Sequence, residues 1–314
     1  MTLLTVKIAR RWPEAQGVLG LELRDASGGG LAPFTAGSHL DLHLPGGLVR
    51  SYSLCNDPRE RDRYQLGVAL SAQSRGGSRQ VHEALQPGDV LQVSTPRNLF
   101  ALPTGNPSLV FVAGGIGITP ILAMIHEAEA CGLDWRLLYC VRSRERAAYA
   151  PQLRDHGTKV HLHVTDLAGR ADVSAFLSGH AKGVAHVYCC GPSGLMDAVA
   201  SACRAWPAER VHFERFSAGA EPAREAGAFE LHLVRSGKRL QVPADRSILD
   251  TLEAAGMALP FSCREGLCRS CEVPMCGGEA EHRDHVLSDA EREAHSSILI
   301  CVSRARSACI ELDL

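Results

Sequence analysis

Nothing in this chain stays apolar long enough to cross a bilayer, which takes about 20 consecutive apolar residues as a helix. An excess of charge of one sign is missing too. The 33 Lys and Arg against 35 Asp and Glu leave a formal net charge of -2, which points to neither a nucleic-acid nor a membrane-surface partner. No basic patch or DNA-reading helix pattern stands out. The opening "MTLLTVKIARRWPEAQGVLG" turns polar too early for a secretory signal, so a cytoplasmic location is expected. There is no heptad and no exposed apolar stripe, so a monomer is expected. What remains is ordinary globular composition, 45% hydrophobic and 22% charged, in 314 residues, enough for about two or three domains.

Cysteine is the exception. Twelve are many for a reducing compartment. Cys55, Cys131, Cys140, Cys189, Cys190 and Cys203 are scattered, mostly in apolar runs, and apart from Cys190 they read as small buried side chains. The other six crowd the last quarter of the chain. "CREGLCRSC" spaces Cys263, Cys268 and Cys271 as C-x4-C-x2-C, and Cys301 follows in "SILICVSRA". A structural zinc site usually draws on two close cysteine pairs. Here the fourth cysteine stands alone, on a run that reads as a buried strand. The spacing is that of plant-type 2Fe–2S proteins, where a loop supplies three thiolates and a distant residue the fourth. Gly266 would let backbone amides approach the sulfurs and stabilise added negative charge. Cys276 is a rival ligand; Cys309 reads as a packed thiol. Upstream, Phe229–Val234 and Arg239–Val242 read as a hairpin turned at Ser236-Gly237, with a helix from near Ser247. This final segment resembles plant-type ferredoxins.

An iron–sulfur cluster takes single electrons, a nicotinamide gives two as hydride, and a flavin is the usual adapter. "SLVFVAGGIGITP" is an apolar strand running into Gly114, Gly115, Gly117 and Thr119, then a helix. Such a turn lets the backbone approach a pyrophosphate at a helix N-terminus, although the spacing is not G-x-G-x-x-G. Further strand–helix alternation follows through "DWRLLYCVRS", "KVHLHVTD", "HVYCCGPSGLMDAVASACRAW" and "ERVHFERFS", arguing an open parallel sheet. Cys190, Gly191 and Pro192 fall at a strand's carboxyl end, where ligands of such sheets sit. The first hundred residues read as short strands with Gly and Pro turns, the pattern of an antiparallel barrel. "RSYS", Arg50-Ser51-Tyr52-Ser53, lies within it. "SRGGS" puts Arg75, Gly76, Gly77 and Ser78 just before a predicted helix, a loop able to cradle a phosphate.

"GGIGITP", "CCGP" and "HFERF" together with R-x-Y-S resemble the ferredoxin–NADP reductase superfamily. That resemblance implies Arg50 on the flavin phosphate, Tyr52 against the ring system and Ser53 near flavin N5. It also implies Cys190 beside nicotinamide C4, Phe216 covering the flavin and Glu214 near the hydride path. With "STPRNLF", "GEAEHRDHVLSD" and "ICVSRA", the whole chain resembles the phthalate dioxygenase reductase group, which includes vanillate demethylase reductases. The fold then implied is multidomain: a β-barrel flavin domain over 1–104, an α/β parallel-sheet nucleotide domain over 105–222, and an α+β (β-grasp) ferredoxin domain over 223–314. Residues 217–228 read as a flexible tether. The resemblance implies FMN, a 2Fe–2S cluster and NADH as cofactors, with a Rieske-type oxygenase as acceptor; service to a cytochrome P450, or as a general diaphorase, is the alternative. "RSRER" (Arg142 to Arg146) pulls toward NADPH, whereas Asp166 after the third strand would repel a 2′-phosphate; NADH is expected. Arg264, Glu265 and Arg269 beside the cluster ligands are expected to shape its potential and partner docking.

Overall fold

The computed structural model describes residues 2–71, 76–179, 185–218 and 227–314. The chain divides into two compact units, Met1–Glu214 and Arg215–Leu314. A division at 104/105 therefore falls between two sheets of one unit, while a division at 222/223 and most of the expected tether lie outside the described residues.

The first sheet uses β1 (Leu3–Ala15), β2 (Val18–Asp25), β3 (Ser38–His43), β4 (Val49–Ser53), β5 (Tyr64–Ala69), β6 (Val90–Ser94) and the short β7 (Arg97–Asn98), with helix α1 over Gly77–Glu83. Its order is β4-β3-β6-β1-β2-β5, with β7 against β3, all antiparallel. The two end strands meet through a bridge between Leu54 and Leu66, which rolls the sheet toward a barrel. Leu21, Leu40, Leu42, Leu54, Tyr64 and Leu66 fill its interior. The stretch "HLDLHLPGGLVRSYS" is a hairpin. Gly46 and Gly47, at φ 80° and 82°, make a turn that side chains with a Cβ rarely adopt. That turn fixes the register His39–Ser53, Leu40–Tyr52 and Asp41–Ser51.

The second sheet is wholly parallel: β8 (Leu109–Gly114), β9 (Trp135–Val141), β10 (Val160–Val164), β11 (His186–Cys190) and β12 (Val211–Glu214), in the order β10-β9-β8-β11-β12. All six residues of β8 are buried, as expected for a central parallel strand covered on both faces. The helices are α2 (Ile118–Ala130), α3 (Ala150–Arg154), α4 (Thr165–Ala168), α5 (Val173–Ser178) and α6 (Ser193–Ala202). "KVHLHVTD" is a strand only to Val164; its last two residues open α4. The order reverses between β8 and β11, and the crevice outside their carboxyl ends is where doubly wound sheets take ligands.

Barrel and parallel sheet meet at a built seam. Tyr149, at φ 60°, donates its amide to Glu14 Oε1 at 2.8 Å, and its hydroxyl lies 3.4 Å from Cys55 Sγ. A Cβ on Gly67 of β5 would stand 2.6 Å from that hydroxyl, so the strand approaches only because the residue is glycine.

The second unit holds β13 (Phe229–Leu233), β14 (Lys238–Val242), β15 (Glu272–Gly277), β16 (Ala280–Glu281), β17 (Ser297–Leu299), β18 (Arg304–Ala305) and β19 (Cys309–Leu312), with α7 (Ile248–Ala254) and α8 (Asp289–Ala294). The main sheet runs β14-β13-β19-β15-β17, with β13 and β19 parallel and the other pairs antiparallel. The expected hairpin and helix are present. Ser247 and Asp250 form a capping box at α7, and Ser288 and Glu291 form another at α8.

Arg304 is buried and forms no ion pair among the described residues. Its guanidinium donates to the carbonyls of Arg246, Gly227 and Pro243 and stacks on Phe229 at 5.1 Å. It ties the start of the unit to the loop after β14. Hydrogen bonds to a charged group contribute about 1.5–3 kcal/mol each, and truncation strands all three acceptors. Arg304→Leu is expected to lower the unit's unfolding midpoint by several degrees, read from bleaching of the visible spectrum during a thermal ramp. An unchanged midpoint would remove this role.

Candidate functional site

The four cysteines singled out by spacing come together. Cys268, Cys271 and Cys301 are buried and Cys263 is half-buried. Their sulfurs contact in pairs, Cys263 with Cys268 and Cys271 with Cys301, and Cys263 also meets Cys301. Paired thiolates are the donor set that two irons need. The fit extends to the loop. The amides of Glu265 and Leu267 donate to Cys263 Sγ at 3.3 and 3.4 Å. The neighbouring Cys268 and Cys301 thiols, and then these amides, hold the Cys263 thiol far below its usual range. A Cβ on Gly266, which has φ 69°, would stand 2.7 Å from Val302 and 3.0 Å from the Asp284 backbone. Only glycine lets the loop lie there.

Cys301 differs from expectation in one respect: it follows β17 in a turn and is not within a strand. The Ser303 amide bonds back to the Leu299 carbonyl at 3.1 Å, which curls the chain and presents the thiol. Cys276 is exposed on β15 and outside the group. Cys131 is exposed too, contrary to its apolar context, because it caps the end of α2.

The charged residues beside the ligands are not free solvated side chains. Arg264, at φ 57°, donates to Asp250 and Glu253 of α7 and stacks on Phe261 at 4.0 Å. Arg269, at φ 56°, holds Glu272 and Glu291 at 2.8 Å each. The loop's two left-handed arginines thus clamp it to α7, β15 and α8.

In the first unit, Arg50 lies over the start of α1. A Cβ on Gly77 would stand 2.6 Å from Arg50 Cγ and 2.8 Å from its Nε, and Gly76 adopts φ 91°. The guanidinium stem and the bare backbone of Gly76-Gly77 form a pocket edge whose donors suit a phosphate. Ser78 Oγ accepts from the Ser71 amide at 3.2 Å. Arg75 lies outside the described residues. Tyr52 packs against the barrel core, and burial pushes its phenol up to about 12.

Spacing gave no hint of the support behind this strand. Asp41 is buried; it accepts from Ser51 Oγ at 2.7 Å and from Arg97 at 2.7 Å, and its amide donates to Ser94 Oγ. Only the hairpin register, readable from the Pro45–Gly47 turn, sets Asp41 opposite Ser51.

At the carboxyl ends of β8 and β11 the two glycine turns touch. A Cβ on Gly117 would stand 2.2 Å from the Cys190 carbonyl oxygen, and one on Gly114 would stand 2.6 Å from Pro192 Cδ. Gly191 lies against Gly114, and Thr119 is buried with its hydroxyl on the Ile116 carbonyl. Gly115, at φ 54°, has open space around it. The barrel reaches this edge: Ser53 Oγ donates to Glu214 Oε2 at 3.4 Å, and Cys190 Sγ is 4.0 Å from the same oxygen. Glu214 keeps some surface as a residue, but its carboxyl lies in dense surroundings. Burial raises it to about 8, opposed by the Ser53 bond. Burial and Glu214 also push the Cys190 thiol well up. Asp166, in the first turn of α4, pairs at 3.6 Å with Arg142, which follows β9. Phe216 belongs to the second unit and is 45% exposed.

A half-closed barrel, a parallel sheet with its switch-point turns bared, and a four-thiol loop define an electron-transfer oxidoreductase with a flavin- and nicotinamide-binding fold. Residues 231–306 match the 2Fe-2S iron-sulfur cluster binding domain family. The chain is 46% identical over 301 residues to phenoxybenzoate dioxygenase subunit beta of Ectopseudomonas oleovorans, covering 96% of this chain and 94% of that one. The solved structure of phthalate dioxygenase reductase, described as modular for electron transfer from pyridine nucleotides to 2Fe–2S, is 42% identical, covers 99% of this chain and 98% of its own, and superposes with a TM-score of 0.75. An intact type IV self-sufficient cytochrome P450 monooxygenase is 39% identical with a TM-score of 0.91, over 99% of this chain and 41% of that one. The chain belongs to the family of phthalate dioxygenase reductase and vanillate demethylase oxidoreductase. No helix among the described residues is long and apolar enough to cross a membrane.

Proposed function

We propose that the chain is the NADH-dependent reductase of an oxygenase system, holding FMN over 1–104, NADH over 105–222 and the cluster over 223–314, and passing electrons to a separate Rieske-type oxygenase in the cytoplasm. The observation that carries this reading is the convergence on one carboxyl group: Ser53 from the barrel and Cys190 from the parallel sheet both meet Glu214. A site where a flavin strand and a nicotinamide turn share a neighbour is where two cofactors can be held in contact, which is most of what hydride transfer requires.

Arg50 with Gly76, Gly77 and Ser78 would hold the FMN phosphate, and Tyr52 would support the ring system. Gly114, Gly115, Gly117 and Thr119 would take the coenzyme's pyrophosphate, with Gly191 and Pro192 beside the nicotinamide and Phe216 over the flavin. FMN supplies the conversion from hydride to single electrons when bound. The test is cofactor content: one FMN and two irons per chain are expected, and FAD or zinc in their place refutes the reading. The likeness to a self-sufficient P450 supports a second reading, in which the acceptor is a haem protein. A neighbouring reading frame carrying C-x-H and C-x2-H ligand pairs favours the Rieske partner; one without them and with a haem-thiolate oxygenase favours the other.

Glu214 gives the reaction a pH signature. Its raised pKa keeps the carboxyl neutral below about pH 8 and ionised above. A nicotinamide gains positive charge as it gives up hydride, and a nearby carboxylate favours that charge. Stopped-flow flavin reduction by NADH is therefore expected to quicken as pH rises through about 8. Glu214→Gln should remove this limb; a variant with the same inflection would clear Glu214.

Coenzyme choice rests on Asp166. Its carboxylate neutralises Arg142 at the edge where an adenosine ribose would lie. Asp166→Ser is expected to release Arg142 for a 2′-phosphate and raise kcat/KM for NADPH about tenfold, the equivalent of about 1.4 kcal/mol, in steady-state assays with both coenzymes. No gain would place the discrimination elsewhere.

A further inference from the structure

The segment joining β9 to α3 is stitched to the barrel at two places that none of these roles uses. The first is the turn between β1 and β2. There the Gln16 amide donates to the Glu145 carbonyl at 2.7 Å, and Glu14 Oε1 accepts from the Tyr149 amide at 2.8 Å. Glu14 Oε2 accepts from the Trp12 indole at 2.7 Å, so the carboxylate is fixed between two N–H donors. The second place is the barrel wall. Cys55 Sγ donates to the Gln65 carbonyl at 3.2 Å, which leaves the sulfur to accept from the Tyr149 hydroxyl at 3.4 Å. A Cβ on Gly67 would stand 2.6 Å from that hydroxyl and 2.8 Å from Thr119 Cγ2. One bare residue of β5 thus receives both the tyrosine and the threonine of the coenzyme turn.

Tyr149 is a costly choice for this position. Its φ of 60° is rare for an aromatic residue and costs about 1–3 kcal/mol, so its partners must hold it there. Glycine would adopt that φ freely but would bring neither the hydroxyl nor the buried ring. Stability alone does not call for such a residue, because Val18, Ala36 and Phe100 already pack against the parallel sheet through apolar contacts. Directional bonds instead fix one register between barrel and sheet. That register reaches the site. Cys55 stands two residues beyond Ser53, and Leu54 bridges to Leu66, the neighbour of Gly67. The strand carrying Ser53 and the turn carrying Thr119 are therefore spaced through Tyr149. Their direct link, Ser53 to Glu214 at 3.4 Å, is long for a hydroxyl and a carboxyl group.

We propose, on the reading of FMN and NADH sites given above, that Glu14 and Tyr149 are positioning residues for hydride transfer. They act through Cys55, Gly67 and Thr119 and seat the coenzyme turn against the flavin strand at the separation the reaction needs. An error of about 1 Å in such a separation costs about 100-fold in rate.

Stopped-flow reduction of the flavin- and cluster-loaded protein by NADH tests this, with the long-wavelength absorbance of a nicotinamide stacked on a flavin recorded alongside. Glu14→Ala is expected to lower the limiting rate of flavin reduction about tenfold or more and to weaken that absorbance. The half-saturating NADH concentration should stay within about twofold, since no group proposed to touch the coenzyme is removed. Glu14→Gln keeps a carbonyl oxygen for the Tyr149 amide and should recover most of the rate. Glu14 is only half-buried, so these two arms stand even if a Tyr149→Phe variant, expected to be a few-fold slow, folds poorly. An alanine variant that only unfolds at a lower temperature would make Glu14 a structural brace. One that raises half-saturating NADH at an unchanged limiting rate would make it part of coenzyme binding. Either result overturns the proposal, as does a glutamine variant as slow as the alanine one. Failure of the unaltered protein to reduce its flavin with NADH is a separate result, which refutes the proposed function and this role with it.

Discussion

Replacing Cys301 with serine should yield a yellow protein that still reduces ferricyanide with NADH but has lost the cluster's visible and electron-spin signals. Cytochrome c reduction should fall by more than about 100-fold, beyond what losing an outer-shell partner costs at a metal site. The thiol is one of four in paired contact, and the turn that presents it is built into the core. The Ile300 amide bonds to the Cys271 carbonyl at 3.3 Å, and the Leu249 amide of α7 bonds to the Ile300 carbonyl at 2.9 Å. A serine oxygen in that position is a harder donor and leaves one iron with a single thiolate. Cys276→Ser is the control. That thiol is exposed on β15 and outside the group, so its loss should leave spectrum and electron transfer unchanged. If Cys301→Ser kept the cluster, or Cys276→Ser destroyed it, the ligand set would be wrong. Survival of ferricyanide reduction separates failure of the cluster from failure of the fold.

The cluster loop was the most legible part of this sequence because its chemistry is local. Three thiolates within one turn of loop, with Gly266 between them, depend on short-range spacing, and a single chain records spacing directly. The strand-to-helix turns were legible for the same reason: an apolar run, then glycines, then a helical pattern. The hairpin and helix ahead of the loop were readable from alternation and from Ser247, whose capping box is written in adjacent residues. What escaped was set by pairing across distance. Asp41 supports Ser51 only because two glycines at φ near 80° fold β3 onto β4. Arg304 is held by backbone carbonyls and forms no ion pair among the described residues, so no charge pattern marks it as buried. Arg264 and Arg269 were marked only by their place beside the ligands, while their left-handed backbone and carboxylate clamps follow from where α7 and α8 pack. Even Cys301 was placed in a strand, since an apolar run gives no sign of where the ladder ends. Glu214 drew attention through a resemblance; its contacts with Ser53 and Cys190 depend on the seam between barrel and sheet.

Of the glycines where the two turns of the parallel sheet meet, Gly117 leaves the least room for a side chain. Gly117→Ala adds one methyl group at a residue whose φ of -60° any amino acid can adopt, so no backbone preference opposes it. The cost is steric. The new Cβ would lie 2.2 Å from the Cys190 carbonyl oxygen, 2.5 Å from its carbon and 2.9 Å from the Gly191 nitrogen, all backbone atoms at the end of a buried strand. Relief requires β11 and α2 to part. Cys190 is paired in register with Glu214 on β12, so the movement reaches the carboxyl group that Ser53 also touches. Overpacking of this kind costs about 1–3 kcal/mol. Spent on coenzyme binding and alignment, it corresponds to a loss in kcat/KM for NADH of roughly fivefold to 150-fold. FMN content should stay near that of the unaltered protein, because the Arg50 and Gly77 cradle lies on the barrel. Gly132→Asn offers the contrast: φ is 65° at the end of α2 with nothing within 4 Å, so asparagine should be accepted without kinetic effect. A Gly117→Ala protein that reduces its flavin at the normal rate would show that the contact between the two turns does not set the nicotinamide's position.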